Sequence, residues 1–86
     1  TWIEPDGRSR SLAPGEAVLT PLRFSRAGGR TLPTRWRIEL PARGVKVTAD
    51  ALNAQSWMAT SVPYWEGPIR LTGSHSGRGY LEMTGY

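Results

Sequence analysis

Tyr64 and Glu66 are the residues of this chain whose types and spacing best suit catalysis. They lie two positions apart, so on a β-strand both side chains point to one face and can share a hydrogen-bond network. A carboxylic acid acts as a general acid when an apolar environment raises its pKa and excludes water. Glu82 is a second acid near the end of the sequence. We name Glu66 and Tyr64 as candidate catalytic residues, with structural hydrogen bonding as the alternative.

Other reactive residue types are sparse. His75 is the one histidine and has no second ligand at metal spacing, so we predict no metal site. Ser74 and Ser76 flank it without the Gly-x-Ser-x-Gly pattern of a nucleophile elbow. The chain has no cysteine, which excludes disulfides and thiolate chemistry. We expect no cofactor.

The charge is basic: ten Arg and one Lys stand against seven acids, and six of the basic residues lie between positions 23 and 43. A nucleic-acid surface would place aromatic side chains beside these arginines, and this segment has only Phe24 and Trp36. Arginine alternates with apolar residues at positions 36–40, which is typical of a solvated strand face. We expect no nucleic-acid partner and keep a basic interaction surface as a minor hypothesis. The apolar runs are too short for a transmembrane segment.

Seven Pro and ten Gly interrupt the sequence at short intervals, which favours an all-β chain of short antiparallel strands. Residues 17–25 alternate but contain Pro21, which predicts an edge strand or a bulge. Residues 26–30 read as the loop that follows. Residues 35–50 predict a hairpin with its turn at positions 42–44. Residues 1–4 suggest a short strand before a turn, and residues 50–58 fit either a helical turn or an extended connector.

The last two strands form a predicted hairpin whose register sorts side chains by polarity. Pairing residues whose numbers sum to 152 places Arg70 opposite Glu82 and Leu71 opposite Leu81. A one-residue slip would destroy this sorting. Glu82 thereby gains a structural partner, whereas Glu66 stays free. Gly67 then leaves a gap in the apolar row, which predicts a strand crossing, a sharp bend or room for a bulky neighbour such as tryptophan.

Three blocks of sequence carry a family resemblance. Pro-Thr-Arg-Trp-Arg-Ile with Leu-Pro at 33–41, Tyr-Trp-Glu-Gly at 64–67 and Gly-Arg-Gly-Tyr-Leu-Glu-Met-Thr-Gly-Tyr at 77–86 resemble the C-terminal part of the AttH-like family, which includes carotenoid 1,2-hydratase (hydroxyneurosporene synthase). The resemblance covers about residues 17–86. One position departs from it: Gln55 is followed by Ser56 where family members usually have Glu.

The resemblance implies one domain, residues 1–86, that forms most of the second of two lipocalin-like barrels in a longer bacterial protein. The fold would be a partial antiparallel β-barrel of about six strands. Many members are described as predicted secreted hydrolases, which favours a periplasmic or secreted location. The hydratase branch adds water to an alkene and needs a carboxylic acid as proton donor. In an enzyme of this type, most catalytic groups would lie outside this segment.

Our leading hypothesis is a binding module whose apolar barrel interior receives a hydrophobic small molecule. Core packing is the alternative role for the same residues. An incomplete barrel has open edges, so the remaining barrel strands or a second copy of the chain are also expected partners. The candidate ligand-binding residues are Trp36, Ile38, Trp65, Ile69, Leu71, Leu81 and Met83.

Overall fold

The computed structural model describes residues 1–86 and is built almost entirely of antiparallel strands. A single 3-10 turn at Pro41–Arg43 is its only helical element, and the chain therefore has no helix able to span a membrane. The strands are β1 (Trp2–Ile3), β2 (Ser9–Arg10), β3 (Val18–Ala27), β4 (Arg30–Leu40), β5 (Val45–Ala51), β6 (Trp57–Met58), β7 (Tyr64–Gly73) and β8 (Gly77–Met83).

Six strands form the main sheet in the order β3, β4, β5, β7, with β6 also pairing with β7 and β8 adding to it. Trp65 pairs with both β6 and β8, and Ile69 pairs with both β5 and β8. Hence β5 and β6 share one edge of β7, while β8 takes the other. Strands β3 and β8 are the outer strands and do not pair, so the sheet stays open. This confirms the all-β class and is consistent with the predicted partial barrel.

Strand β3 is an edge strand whose register with β4 shifts on both sides of Arg23. Both alternatives predicted from Pro21 therefore hold. The strand runs two residues beyond the predicted end, and the turn contains only Gly28 and Gly29, with φ of 56° and 73°. Two consecutive positive φ values are those of the tight hairpin turns that match strand twist. The predicted loop over residues 26–30 is consequently too long.

The predicted hairpin over residues 35–50 is confirmed, with Arg35 opposite Asp50 and Leu40 opposite Val45. Pro41 begins the turn and Gly44 ends it with a φ of 64°. The range 50–58, for which the sequence fits either a helical turn or an extended connector, contains no helical turn. Residues 50–51 end β5, residues 52–56 form a connector with a turn, and residues 57–58 form β6.

Pro68 explains why the pairing of β7 with β5 stops at that connector. In an antiparallel strand the N–H and C=O of one residue point to the same edge. The Pro68 carbonyl accepts from the Leu52 N–H at 3.0 Å, on the β5 side, so the missing proline N–H also belongs to that side. The ladder breaks there and resumes where the Glu66 N–H donates to the Ser56 carbonyl at 3.1 Å.

The register predicted for the terminal hairpin is wrong by four positions. Paired residues sum to 148: Glu66 lies opposite Glu82, and Arg70 lies opposite Arg78. An even slip keeps every side chain on its predicted face, so the sorting by polarity survives while the pairs change. The proposed Arg70–Glu82 pair does not exist. On the apolar face Ile69, Leu71 and Leu81 each lie opposite a glycine, whereas Trp65 lies opposite Met83.

Trp65 is the centre of the core. Its side chain is fully buried against Ala27, Leu32 and Met83, and its indole N–H donates to the Ala54 carbonyl at 2.9 Å. A Cβ on Gly67 would lie 2.9 Å from Ser56 Oγ and 3.2 Å from the Trp65 ring. The gap at Gly67 therefore makes room for the connector as well as for a bulky tryptophan, which was one of the predicted alternatives.

The N-terminal hairpin of β1 and β2 is held to the main sheet by Arg43. Its guanidinium lies 4.5 Å from the centre of the Trp2 ring and its Nη1 is 2.8 Å from Glu4 Oε1. The predicted turn after the first strand is present, since the Gly7 N–H donates to the Glu4 carbonyl at 2.9 Å. One partly buried arginine thus fastens the first residues to the β4–β5 turn.

Substitution of Gly28 by Ala should destabilise the domain more than the same change at Gly29. Both glycines have positive φ, which costs an Ala about 1–2 kcal/mol. A Cβ at Gly28 would also overlap the Trp57 ring, whereas Gly29 has open space, and overpacking adds roughly 1–3 kcal/mol. Urea unfolding followed by tryptophan fluorescence measures the difference. Equal losses for the two variants would contradict the packing of Trp57 on this turn.

Candidate functional site

An apolar cleft of about 220 Å³ lies on the concave face of the main sheet. Its lining spans the sheet from edge strand β3 to edge strand β8. The cleft is thus adjacent to the open seam, which is the gap between the unpaired edges of β3 and β8. Seven of its eight residues are hydrophobic. The lining consists of Leu19, Trp36, Ile38, Ala49, Ile69, Leu81, Met83 and, as the single charged residue, Glu82.

The cleft brings together five of the seven predicted ligand-binding residues: Trp36, Ile38, Ile69, Leu81 and Met83. Trp65 is absent from the lining because it is fully buried in the core. Leu71 is half-buried and also lies outside the lining. Core packing, the alternative role, therefore applies to Trp65.

Leu19 and Ala49 were missed as cleft residues. Leu19 lies opposite Ile38 and is 60% exposed, on an edge strand that no further strand covers. Its sequence signal was parity with Pro21, which shares its face because Pro21 lies opposite Trp36. Ala49 also lies opposite Trp36, on the other side. Residues that lie opposite one another on neighbouring strands share a face of the sheet. Once Trp36 is placed on the concave face, its cross-strand partners are therefore placed there as well.

Tyr64 and Glu66 lie on the opposite face of β7 from Trp65 and the cleft, because side chains alternate along a strand. Both are half-buried. Burial raises the pKa of Tyr64 above its ordinary value, and the nearby Glu66 carboxylate raises it further through its charge and a hydrogen bond, with smaller contributions from Glu82 and Tyr80. Tyr64 and Glu66 are therefore neighbours on the convex face, and their catalytic role stays a prediction.

Glu66 lies directly opposite Glu82 with no positive partner for either. The ion pairs of the chain join Asp6 to Arg8, Glu16 to Arg10, Asp50 to Arg35, Glu39 to Arg37 and Glu4 to Arg43. Neither Glu66 nor Glu82 takes part in these pairs. Two carboxylates and a phenol can relay a proton among themselves, which is the chemistry that this group of residues could support.

The turn between β7 and β8 uses its polar side chains for structure. Ser74 Oγ accepts from the Lys46 N–H at 2.8 Å and lies 2.9 Å from His75 Nδ1. The His75 ring forms no ion pair with a carboxylate. Chain-wide, no group of three metal-binding side chains converges on one point.

Comparison with known proteins identifies the family of this chain. The model of the AttH-like family matches residues 1–86. This chain belongs to the AttH-like family. The match includes residues 1–16, which lie outside the range of the predicted resemblance. Searches of curated proteins and of solved structures each found no match. Membership of the AttH-like family goes together here with an open antiparallel sheet and an apolar concave face.

In this AttH-like domain, Glu66→Gln should lower the pKa of Tyr64 without restoring its ordinary value, since burial remains. The folded chain holds the phenol proton more tightly than the unfolded chain, so this effect stabilises the fold below the ordinary tyrosine pKa and is lost as the pH rises through the folded pKa. Titration of tyrosinate absorbance measures the shift.

Tyr64→Phe identifies which absorbance change belongs to Tyr64. Glu82→Gln is the matched control, because Glu82 contributes less than Glu66 to the raised pKa. A Tyr64 titration that is the same in Glu66→Gln as in the unchanged chain would contradict the contact between them.

Proposed function

We propose that this AttH-like domain binds a hydrophobic small molecule in the apolar cleft. The observation that carries the proposal is the lining: seven hydrophobic residues on one concave surface, contributed by five strands. Ligand pockets are typically lined by apolar and aromatic side chains with few polar groups. Trp36 is the aromatic residue of this lining.

The size of the cleft indicates how much of a ligand it holds. Its volume of about 220 Å³ is below the roughly 300–1,000 Å³ of pockets that bury a drug-sized molecule. The cleft is adjacent to the open seam between β3 and β8, so a longer apolar chain would extend past Leu19 beyond the sheet. A linear hydrocarbon or polyene end fits this shape better than a compact ring system.

The charge of the lining restricts the ligand further. Glu82 is the one charged residue in the lining, and its side chain points to the convex face because it alternates with Leu81 and Met83. The lining therefore offers no cation to a ligand carboxylate or phosphate, which would lose its hydration in the cleft without compensation. The proposed ligand therefore places an uncharged apolar portion inside the cleft.

An enzyme of the carotenoid hydratase type is the second candidate, and the grouping of Tyr64, Glu66 and Glu82 is the observation that favours it. All three side chains lie on the convex face, opposite the cleft, because side chains alternate along β7 and β8. An alkene protonated by this group would therefore lie outside the cleft. Turnover of an acyclic carotene that is lost in Glu66→Gln or in Glu82→Gln would support this role. Turnover that is unchanged in both variants would remove it.

Leu19→Arg should weaken binding of a long-chain polyene about tenfold or more, because it places a charge at the cleft where the apolar chain lies. Quenching of tryptophan fluorescence by the polyene measures the dissociation constant, and Trp36→Phe should remove most of the quenching. Leu19 is 60% exposed, so the substitution disturbs little packing.

Leu22→Arg is the matched control for this experiment. Leu22 lies on the same edge strand and is 40% exposed, but it does not line the cleft. Its substitution should leave the affinity unchanged. Quenching that does not saturate, or an equal loss of affinity in both variants, would refute the proposed cleft.

A further inference from the structure

The terminal hairpin separates its charges into two like-charge pairs. On the convex face Glu66 lies opposite Glu82, and Arg70 lies opposite Arg78. These are non-hydrogen-bonded pairs, in which the Cα atoms are about 4.5 Å apart and side chains are closest. Like charges in such positions repel, and none of these four residues has an ion-pair partner within the chain. Arg70 also lies opposite Asp50 of β5, but the Asp50 carboxylate is paired with Arg35. The acidic end of the hairpin therefore has no adjacent cation, and Arg78 at the basic end has no adjacent acid.

Strand β8 also leaves one edge without a partner. The backbone groups of Glu66 and Pro68 point toward β5 and β6, so odd-numbered residues of β7 bond to β8. Their partners in β8 are also odd-numbered, as in Ile69 opposite Gly79. The N–H and C=O groups of Arg78, Tyr80 and Glu82 therefore point outward along the free edge.

We propose that two copies of this chain pair through the free edges of β8, antiparallel and centred on Tyr80. In this register Arg78 of one copy faces Glu82 of the other, and this occurs twice because the interface is two-fold. All three outward residues form hydrogen-bonded pairs with the second copy. The charged row then reads Arg70, Arg78, Glu82 and Glu66 across the two hairpins, so each like-charge pair is balanced by its opposite.

Other two-fold registers of the same edge lack this complementarity. Centring on Arg78 places two arginines face to face, and centring on Glu82 places two glutamates face to face. The registers between them pair a charge with Tyr80. Only the register centred on Tyr80 places Arg78 against Glu82. Tyr80 is 64% exposed in the single chain and would meet its own copy at the centre.

The concave face fits the same register. There Leu81 faces Gly79 of the second copy, and Met83 faces Gly77. Gly77 has no atom within 4 Å of where a Cβ would be, and around Gly79 only Ile69 comes within that distance. A large side chain therefore meets an open position in both pairs, as Ile69 and Leu71 of β7 do opposite Gly79 and Gly77. Leu81 and Met83 thus belong both to the cleft lining and to the interface, whereas Leu19 on β3 does not take part in the pairing.

The other free edge is less suited to pairing. Strand β3 contains Pro21, which lacks an N–H, and its register shifts on both sides of Arg23. Proline and bulges on an edge are devices that discourage addition of another strand. Strand β8 has neither proline nor a register shift. The geometry therefore assigns the interface to β8.

Sedimentation velocity of the 86-residue chain over a wide concentration range tests the proposal, with circular dichroism to confirm folding of each variant. Arg78→Glu and Glu82→Arg should each raise the dimer dissociation constant about tenfold or more, because both symmetric pairs become repulsive. Mixing the two variants in equal amounts should restore association, since each copy then faces its opposite charge. The double variant Arg78→Glu, Glu82→Arg should dimerise like the unchanged chain.

Arg30→Glu is the matched control, because Arg30 is an exposed arginine at the far hairpin turn and makes the same change in net charge. It should leave the dissociation constant unchanged. A chain that stays monomeric at every concentration would overturn the proposal. Dimers that respond equally to Arg30→Glu and Arg78→Glu, or a mixture that fails to recover, would overturn it as well.

Discussion

Burial of Trp65 is the constraint on which the rest of the domain depends. Only ten of 86 residues are buried, so one large side chain supplies an unusual share of the hydrophobic stabilisation. The ring packs against Leu32 and Ala27 from the far hairpin, against Met83 from the last strand and over Gly67 on its own strand. Its N–H also fixes the connector at Ala54. The curvature of the sheet follows from these contacts, because strands on either side must bend toward one ring.

Much of the architecture could be predicted because strands show alternating apolar and polar residues, and because Pro and Gly mark where strands end or become irregular. The β4–β5 hairpin follows from apolar residues at every second position and from Pro41, which ends the run. Pro21 marks β3 as an irregular edge for the same kind of reason, since a proline cannot donate to a ladder. The family block at 64–67 begins β7, and the block at 77–86 comprises β8 and the three residues after it. These signals are local, and local signals survive in a single sequence.

The pairing partners could not be predicted in the same way. Pairing β7 with β8 so that residue numbers sum to 152 or to 148 places every side chain on the same face in either case. The polarity pattern therefore does not distinguish the two registers. The two registers differ in which apolar side chains meet: in the structure Ile69 lies opposite Gly79, and Met83 lies opposite the buried Trp65. The consequence for the candidate site is large: Glu82 loses its expected arginine, and the acids that seemed to differ in role become neighbours. Curvature also places Leu19 on the cleft, which no strand pattern alone reveals.

The order of the strands has a consequence for how the sheet assembles. In the main sheet β3 pairs with β4, β4 with β5, and β7 with β8, each across a short turn. The widest step is from β5 to β7, over the connector that Pro68 leaves unpaired. Loop-closure entropy grows with the length of chain that must be closed, so each pairing in this sheet follows from its neighbour at small cost. An open meander of this kind pairs strands that are neighbours or near neighbours in the sequence, and a lower mean sequence separation of contacts favours faster folding.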